Sequence, residues 1–301
     1  MLACPICHKT FADGRCECRR DWTETGGVPD LYMPAPEAGE DVRLTERVRA
    51  FYEERPFPDY RPDDDLGSLV RNGRANPFTR WLDEEIPPRA KVLEIGCGTG
   101  QMSNFLGVAG REVVGLDLTM ASLLRAEAFR RRAGLATVTF VRGNLFRLPI
   151  APGSADVVIA NGVLHHTADC RAAFRAVGRA VAPGGYLVVG LYNRYGRALL
   201  PLVRDEHAHG KTEREKAWYH DQHQHPVESR HTADEVLDWL AEDGFEFVNS
   251  CPSLSLGSET GRLFERHSPG TWLGRTLAQL SWVSRARDGG LWVTVGQKQG
   301  A

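Results

Sequence analysis

The spacing of apolar residues changes character near residue 90. Upstream, Val42, Leu44, Val48 and Phe51 recur among charges at helical intervals and predict an amphipathic helix over 42–54. It runs into Pro56-Phe57-Pro58-Asp59-Tyr60, where the prolines force the chain out of helical geometry. A second short helix is expected over 76–86, closed by Pro87 and Pro88. Downstream, short apolar runs alternate with amphipathic segments. Strands are expected over 91–95, 112–116, 138–142, 155–160 and 186–191, with helices over 101–109, 120–132 and 170–181. Thr232 and Glu235 have capping-box spacing, so a helix to about residue 242 follows, then strands over 245–249 and 291–296. Such alternation implies an α/β fold, a parallel sheet with helices on both faces.

The first of these strands ends in Glu94-Ile95-Gly96-Cys97-Gly98-Thr99-Gly100. Glycine tolerates positive φ and lets a ligand approach the backbone closely. A strand that passes through such a loop into a helix is a nucleoside or dinucleotide cradle. Dinucleotide sites space their glycines G-x-G-x-x-G, whereas this loop reads G-x-G-x-G, with an acid two residues before the first glycine. That spacing suits a ligand with no pyrophosphate to seat on the helix N-terminus. The pattern resembles motif I of the class I S-adenosylmethionine (SAM) methyltransferases.

Further segments extend the resemblance over about 91–299. Asp117, ending Val113-Val-Gly-Leu-Asp117, is similar to the acid that takes the ribose hydroxyls, since a carboxylate accepts two hydrogen bonds from a cis-diol. Asn144 and Leu145, in Arg142-Gly-Asn-Leu-Phe-Arg-Leu-Pro149, resemble the loop that meets the adenine; the family commonly has Asp in place of Asn144, whose side-chain oxygen can still accept from the adenine amino group. Ala160-Asn-Gly-Val-Leu-His-His-Thr167 and Val181-Ala-Pro-Gly-Gly-Tyr-Leu-Val-Val189 resemble the segments after the fourth strand and into the fifth. The resemblance implies a three-layer, doubly wound, seven-stranded sheet of order 3-2-1-4-5-7-6 with its last strand antiparallel, over 91–301. It implies a SAM site built from Glu94, Gly96, Cys97, Gly98, Thr99, Gly100, Asp117, Leu118, Asn144, Leu145 and Asn161, with S-adenosylhomocysteine as product. Methyl transfer is an in-line displacement at a sulfonium methyl, so positioning the nucleophile supplies much of the rate and a general base adds to it.

Several groups are candidates for that chemistry. His165 and His166 follow the fourth strand, at the carboxyl end of the sheet where ligands bind; imidazole is a base near neutral pH, and His166 is the stronger candidate. An insertion over about 194–232 carries His223, His225, Glu228 and His231, which can form a solvated loop or a substrate-facing lid with His225 and Glu228 reaching the acceptor and His231 beside them. It follows Tyr192 and Arg194, at the rim of the expected site. In the aromatic–proline stretch, Tyr52, Phe57 and Tyr60 either stack on substrate or SAM or pack the first helix onto the sheet.

Composition adds a second unit. Four of the seven cysteines fall in the first 18 residues, as Cys4-Pro-Ile-Cys7 and Cys16-Glu-Cys18. Four thiolates complete a tetrahedral Zn2+ shell, so residues 1–35 read as a small structural zinc-ribbon-like segment, joined to the helical cap over 36–90. Clustered, odd-numbered cysteines argue for reduced thiols, and a start with no basic or apolar leader pattern makes a cytoplasmic location the expectation. No apolar run spans a bilayer. A net charge of −2 disfavours a dominant nucleic-acid footprint. The expected function is therefore methylation of an O, N or C nucleophile on a small-molecule acceptor. The alternative is an RNA or protein methyltransferase that uses the ribbon for docking; the Asn/Asp-Pro-Pro-Tyr motif that seats planar amino nitrogens is missing. A non-catalytic SAM-binding scaffold is a third reading. The sequence carries no indication of oligomeric state.

Overall fold

The computed structural model describes residues 1–9, 16, 18, 22–54, 56, 59–198, 226–256, 261–284 and 290–300. The expected strands form as β3 (Lys91–Ile95), β4 (Glu112–Asp117), β5 (Val138–Arg142), β6 (Ala155–Asn161), β7 (Val181–Tyr192), β8 (Phe245–Cys251) and β9 (Leu291–Lys298). They lie in the order β5-β4-β3-β6-β7-β9-β8, parallel except for β9, which runs antiparallel to both neighbours. Among the described residues the sheet has nine strands, two more than expected. A hairpin of β1 (Thr23–Thr25) and β2 (Val28–Asp30) is added at the β5 edge. Three-residue strands carry no readable periodicity, and what places them is a long-range contact: Asp30 pairs in register with Arg142, and the two side chains form an ion pair at 2.7 Å. The start of the chain is tied to the same region. Leu2 bridges Ile150, and the Ala3 N–H donates to the Pro149 carbonyl at 2.9 Å.

Helices cover both faces. On one side α2 (Leu66–Ala75), α3 (Pro77–Glu85), α4 (Gln101–Gly107) and α5 (Met120–Ala133) contribute to a core with Leu69, Leu82, Phe105, Leu123 and Phe129. On the other, α6 (Cys170–Gly178) and α7 (Ala233–Glu242) bury Phe174, Val177, Val236 and Leu240. The central strands are covered twice, which is why β3 has apolar residues on both of its faces: Val92 enters the first core, Leu93 and Ile95 the second. The capping box forms as expected, with Thr232 Oγ1 accepting from the Glu235 N–H and Glu235 accepting from the Thr232 N–H. The sixth helix is shorter than expected and β7 starts earlier, so Pro183-Gly-Gly185 lies within the strand. Among the described residues two α-helices were not expected. One is α2, whose sequence includes Gly67 and Gly73; Gly73 is needed because a Cβ there would sit 2.5 Å from the Phe105 ring. The other is α8 (Trp272–Ser281), capped by Thr271. Among the described residues no helix is long and apolar enough to cross a membrane.

The first helix, α1 (Val42–Glu54), is held across the carboxyl end of β4 by Glu53, whose carboxylate accepts from the Met120 and Ala121 N–H groups at the start of α5. Asp59 pairs with Arg125, and the Tyr60 ring stacks on Phe129 at 4.3 Å. These contacts roof the sheet where its strand order reverses, between β3 and β6, the place where open α/β sheets hold ligands.

Candidate active site

A cavity of about 560 Å³ opens at that switch point. Its floor is the glycine loop. Gly96, Gly98 and Gly100 all have positive φ, and a Cβ on Gly96 would lie 2.4 Å from Val163. The loop is pinned to β4: the Gly96 and Cys97 N–H groups donate to the Leu116 carbonyl, and the Gly98 N–H to Asp117 Oδ2 at 2.8 Å. Asp117 Oδ1 accepts from the Thr119 N–H and hydroxyl. Burial nevertheless pushes the Asp117 carboxyl above its ordinary value. Glu94 is buried under the loop, where desolvation, with the Asp117 charge adding, raises its pKa to about 8 while the Ser103 hydroxyl donates to it. At pH 7 it carries a proton.

Of the residues expected to hold the nucleoside, Glu94, Gly96, Cys97, Gly98, Asp117, Leu118, Asn144, Leu145 and Asn161 line this cavity. Thr99 is buried beneath the loop and Gly100 is the left-handed N-cap of α4, so both shape the cradle from behind. Asn144 differs from expectation in its side chain. Its Nδ2 donates to the Met33 carbonyl and to Glu40, and its Oδ1 accepts from the Phe146 N–H. The amide thus takes part in folding the loop through both its nitrogen and its oxygen. Asn161 Oδ1, by contrast, is buried with no hydrogen-bond partner among the described residues, a cost tolerated when a ligand supplies the donor. SAM carries an ammonium group and a cis-diol, so an orphaned acceptor, a carboxylate and a glycine cradle on one wall fit it.

The candidate chemical groups separate. His166, Tyr192, Tyr52 and Tyr60 line the cavity. Tyr60 also accepts from Asn104 Nδ2 at 3.1 Å, and burial raises its hydroxyl above the ordinary range. His166 Nδ1 lies 2.9 Å from the Val227 carbonyl. A carbonyl only accepts, so Nδ1 carries the proton and Nε2 is the basic nitrogen of the neutral ring. Glu228 does not line the cavity: it accepts from Arg197 at 2.5 and 2.8 Å and from Arg230 at 2.8 Å. Burial pushes its carboxyl up, and these guanidinium contacts outweigh that and leave it lowered. His231 bonds the Ser229 hydroxyl at 2.8 Å and packs on Trp239, outside the lining. His225 and His223 fall outside the described residues, as does Phe57. Missed by sequence reasoning are the cavity walls from α2 and α3, including Leu69, Asn72, Asn76 and Phe78; the Asp65–Ser68 capping box and the Asn76-Pro77 N-cap were local signals for them.

The four N-terminal cysteines also come together. The Sγ atoms of Cys4, Cys7, Cys16 and Cys18 all lie within 4.8 Å of one another, and Cys4 and Cys18 are 3.6 Å apart. A tetrahedral site with Zn–S bonds of about 2.3 Å has S···S edges of about 3.8 Å. The Ile6 N–H points at Cys4 Sγ, and the Lys9 N–H lowers the Cys7 thiol below its ordinary value.

Comparison with known proteins agrees with this geometry. Residues 93–189 match the family model described as a methyltransferase domain. A ubiquinone biosynthesis O-methyltransferase of Paracidovorax citrulli is 31% identical over 133 residues, covering 43% of this chain and 56% of the relative. The chain spans about half the length of the curated relatives it matches. Two solved structures share the fold. One is an S-adenosylmethionine-dependent methyltransferase from Mesorhizobium loti (TM-score 0.51, 20% identity, 75% of this chain and 100% of that one). The other is the magnesium protoporphyrin IX methyltransferase of Synechocystis with bound SAM (TM-score 0.51, 14% identity, 85% and 97%). The fold and cradle define an α/β nucleoside-binding domain of the SAM type. Residues 93–189 thus carry a methyltransferase domain, the sheet around them has the class I SAM-dependent methyltransferase fold, and a cysteine cluster lies ahead of it.

Proposed function

We propose that the protein transfers the methyl group of SAM to a hydroxyl oxygen of a neutral small-molecule acceptor, with His166 as the base that takes the hydroxyl proton. The observation that carries this reading is His166 on the cavity wall with Nδ1 fixed as a donor, which leaves Nε2 as the basic nitrogen. SAM, when bound, supplies an electrophilic methyl on a good leaving group. Asp117 would take the ribose hydroxyls, Asn161 Oδ1 would accept from the ammonium group, and Asn144 and Leu145 would shape the adenine wall. The relatives' O-methyltransferase activity supports oxygen as the acceptor atom. The described lining holds the acids Asp64, Glu94 and Asp117, apolar groups including Leu44, Val48 and Phe78, and no Lys or Arg. A carboxylate or phosphate acceptor would be desolvated there with no cation among those residues to meet it, at a cost of several kcal/mol. Cys4, Cys7, Cys16 and Cys18 would hold a closed, structural Zn2+, which suits a reducing compartment such as the cytoplasm.

The test is transfer of a radiolabelled methyl from SAM to a panel of small phenols and catechols by the full chain. His166→Gln should lower kcat by about 10²–10⁴-fold and leave S-adenosylhomocysteine affinity within about threefold, read by calorimetry. Turnover of the variant at the wild-type rate would remove His166 from the chemistry.

A further inference from the structure

Residues 226–231 are stitched to the end of β7 and to the His165–His166 turn, behind the residues that line the cavity. The His231 N–H donates to the Tyr192 carbonyl and the Arg194 N–H to the His231 carbonyl, each at 2.9 Å. The Ser229 N–H donates to the His165 carbonyl at 2.8 Å, and the Val227 carbonyl accepts from His166 Nδ1. Between Val227 and Ser229 stands Glu228, gripped by both arms of the Arg197 guanidinium. Arg197 is 1% exposed, and its guanidinium carbon lies 3.5 Å from the centroid of the Tyr192 ring. Tyr192 in turn packs on His165 at 3.9 Å, and His165 on His166 at 4.2 Å. The bidentate pair and the aromatic stack therefore converge on His166 from two directions.

We propose that Glu228 and Arg197 form a positioning pair that fixes the ring orientation and the Nδ1–H tautomer of His166. Glu228 acts through the backbone on either side of it. The pair holds residues 226–231 so that the Val227 carbonyl meets His166 Nδ1, and Arg197 braces the Tyr192 face against which the two imidazoles stack. A bidentate guanidinium–carboxylate contact is strong and directional, and a cation over an aromatic face adds to it when desolvated. The consequence for methyl transfer rests on the reading of His166 as the base: an imidazole in the other tautomer presents an N–H where the acceptor hydroxyl needs a lone pair.

The test reads the tautomer directly, by long-range proton–nitrogen correlation spectra of histidine-labelled full chain saturated with S-adenosylhomocysteine, the His166 signals being assigned by their loss in His166→Gln. Wild type should show one tautomer, Nδ1–H. Glu228→Gln should show a mixture, with kcat down at least about tenfold, KM for SAM little changed, and partial recovery of both in Glu228→Asp. Arg197→Lys, which keeps the charge and loses the fork, should behave like Glu228→Gln, and it carries the test if that variant does not fold. A folded Glu228→Gln or Arg197→Lys protein with His166 still wholly Nδ1–H overturns the proposal whatever its rate. If His166→Gln turns over normally, the assignment of the base fails, and the tautomer spectra still decide whether the pair positions the ring.

Discussion

Replacing Glu94 by Gln should change how stability depends on pH. In the folded protein burial raises the Glu94 pKa from 4.5 to about 8. The unfolded chain releases this proton near 4.5, so between that pH and about 8 the folded state holds the extra proton. Stability is fully present below pH 4.5 and is lost as pH rises through the folded value. A difference of 3.5 pH units at 1.36 kcal/mol each amounts to about 5 kcal/mol, an upper figure because a buried site relaxes. Glutamine is close in shape, stays neutral, and keeps an oxygen to accept from Ser103. Denaturant unfolding of both proteins from pH 4 to pH 9 isolates the group, since every other titration is shared. The two should match near pH 4, and the variant should gain steadily above pH 5, leading by several kcal/mol at pH 9. Parallel curves would show that Glu94 is ionised in the folded protein and that its burial is compensated by something other than a proton.

Asp117→Ala removes the acceptor for a cis-diol; with charged hydrogen bonds contributing about 1.5 kcal/mol or more each, S-adenosylhomocysteine affinity by calorimetry should fall about 100-fold, and a loss below about tenfold would refute the ribose role. Gly96→Ala should destabilise more than Gly134→Ala in denaturant melts, by about 2 against about 1 kcal/mol. Both have φ near +67°, but only at Gly96 would a Cβ collide, with Val163, so equal losses would refute the close-packing argument. Cys4→Ser with Cys7→Ser should abolish one equivalent of protein-bound zinc, measured by colorimetric release after thiol modification; an unchanged equivalent would place the metal elsewhere.

The long periodic elements were readable without coordinates. β3 to β9 and α1 were readable because burial on both faces of a parallel sheet, or on one face of a helix, leaves a pattern in neighbouring residues. The glycine loop and Asp117 were readable because positive φ and a carboxylate at a strand end are local requirements. The β1–β2 hairpin was not, being three residues a side and held by Asp30 against Arg142. Helix α2 was hidden by its glycines, one of which answers to Phe105 thirty-two positions away. Asn144 shows the limit within a motif: it lines the cavity, but its amide nitrogen is spent on Met33 and Glu40, more than a hundred residues earlier.

The sequence alone thus determined the succession of the long strands and helices along the chain and the glycine loop at the first strand's end, because each depends on residues a few positions apart; the order of strands within the sheet was implied by the family resemblance. Only the tertiary structure decided what those side chains are free to do. Glu94 holds its proton to a higher pH because burial desolvates it and the charge of Asp117, brought beside it by the neighbouring strand, adds to that. Glu228 is an anchor because Arg197 reaches it, and His166 Nδ1 is a donor because a carbonyl sixty-one residues on accepts from it. Protonation, tautomer and hydrogen-bond commitment are properties of surroundings, and surroundings are set by contacts that sequence spacing does not encode.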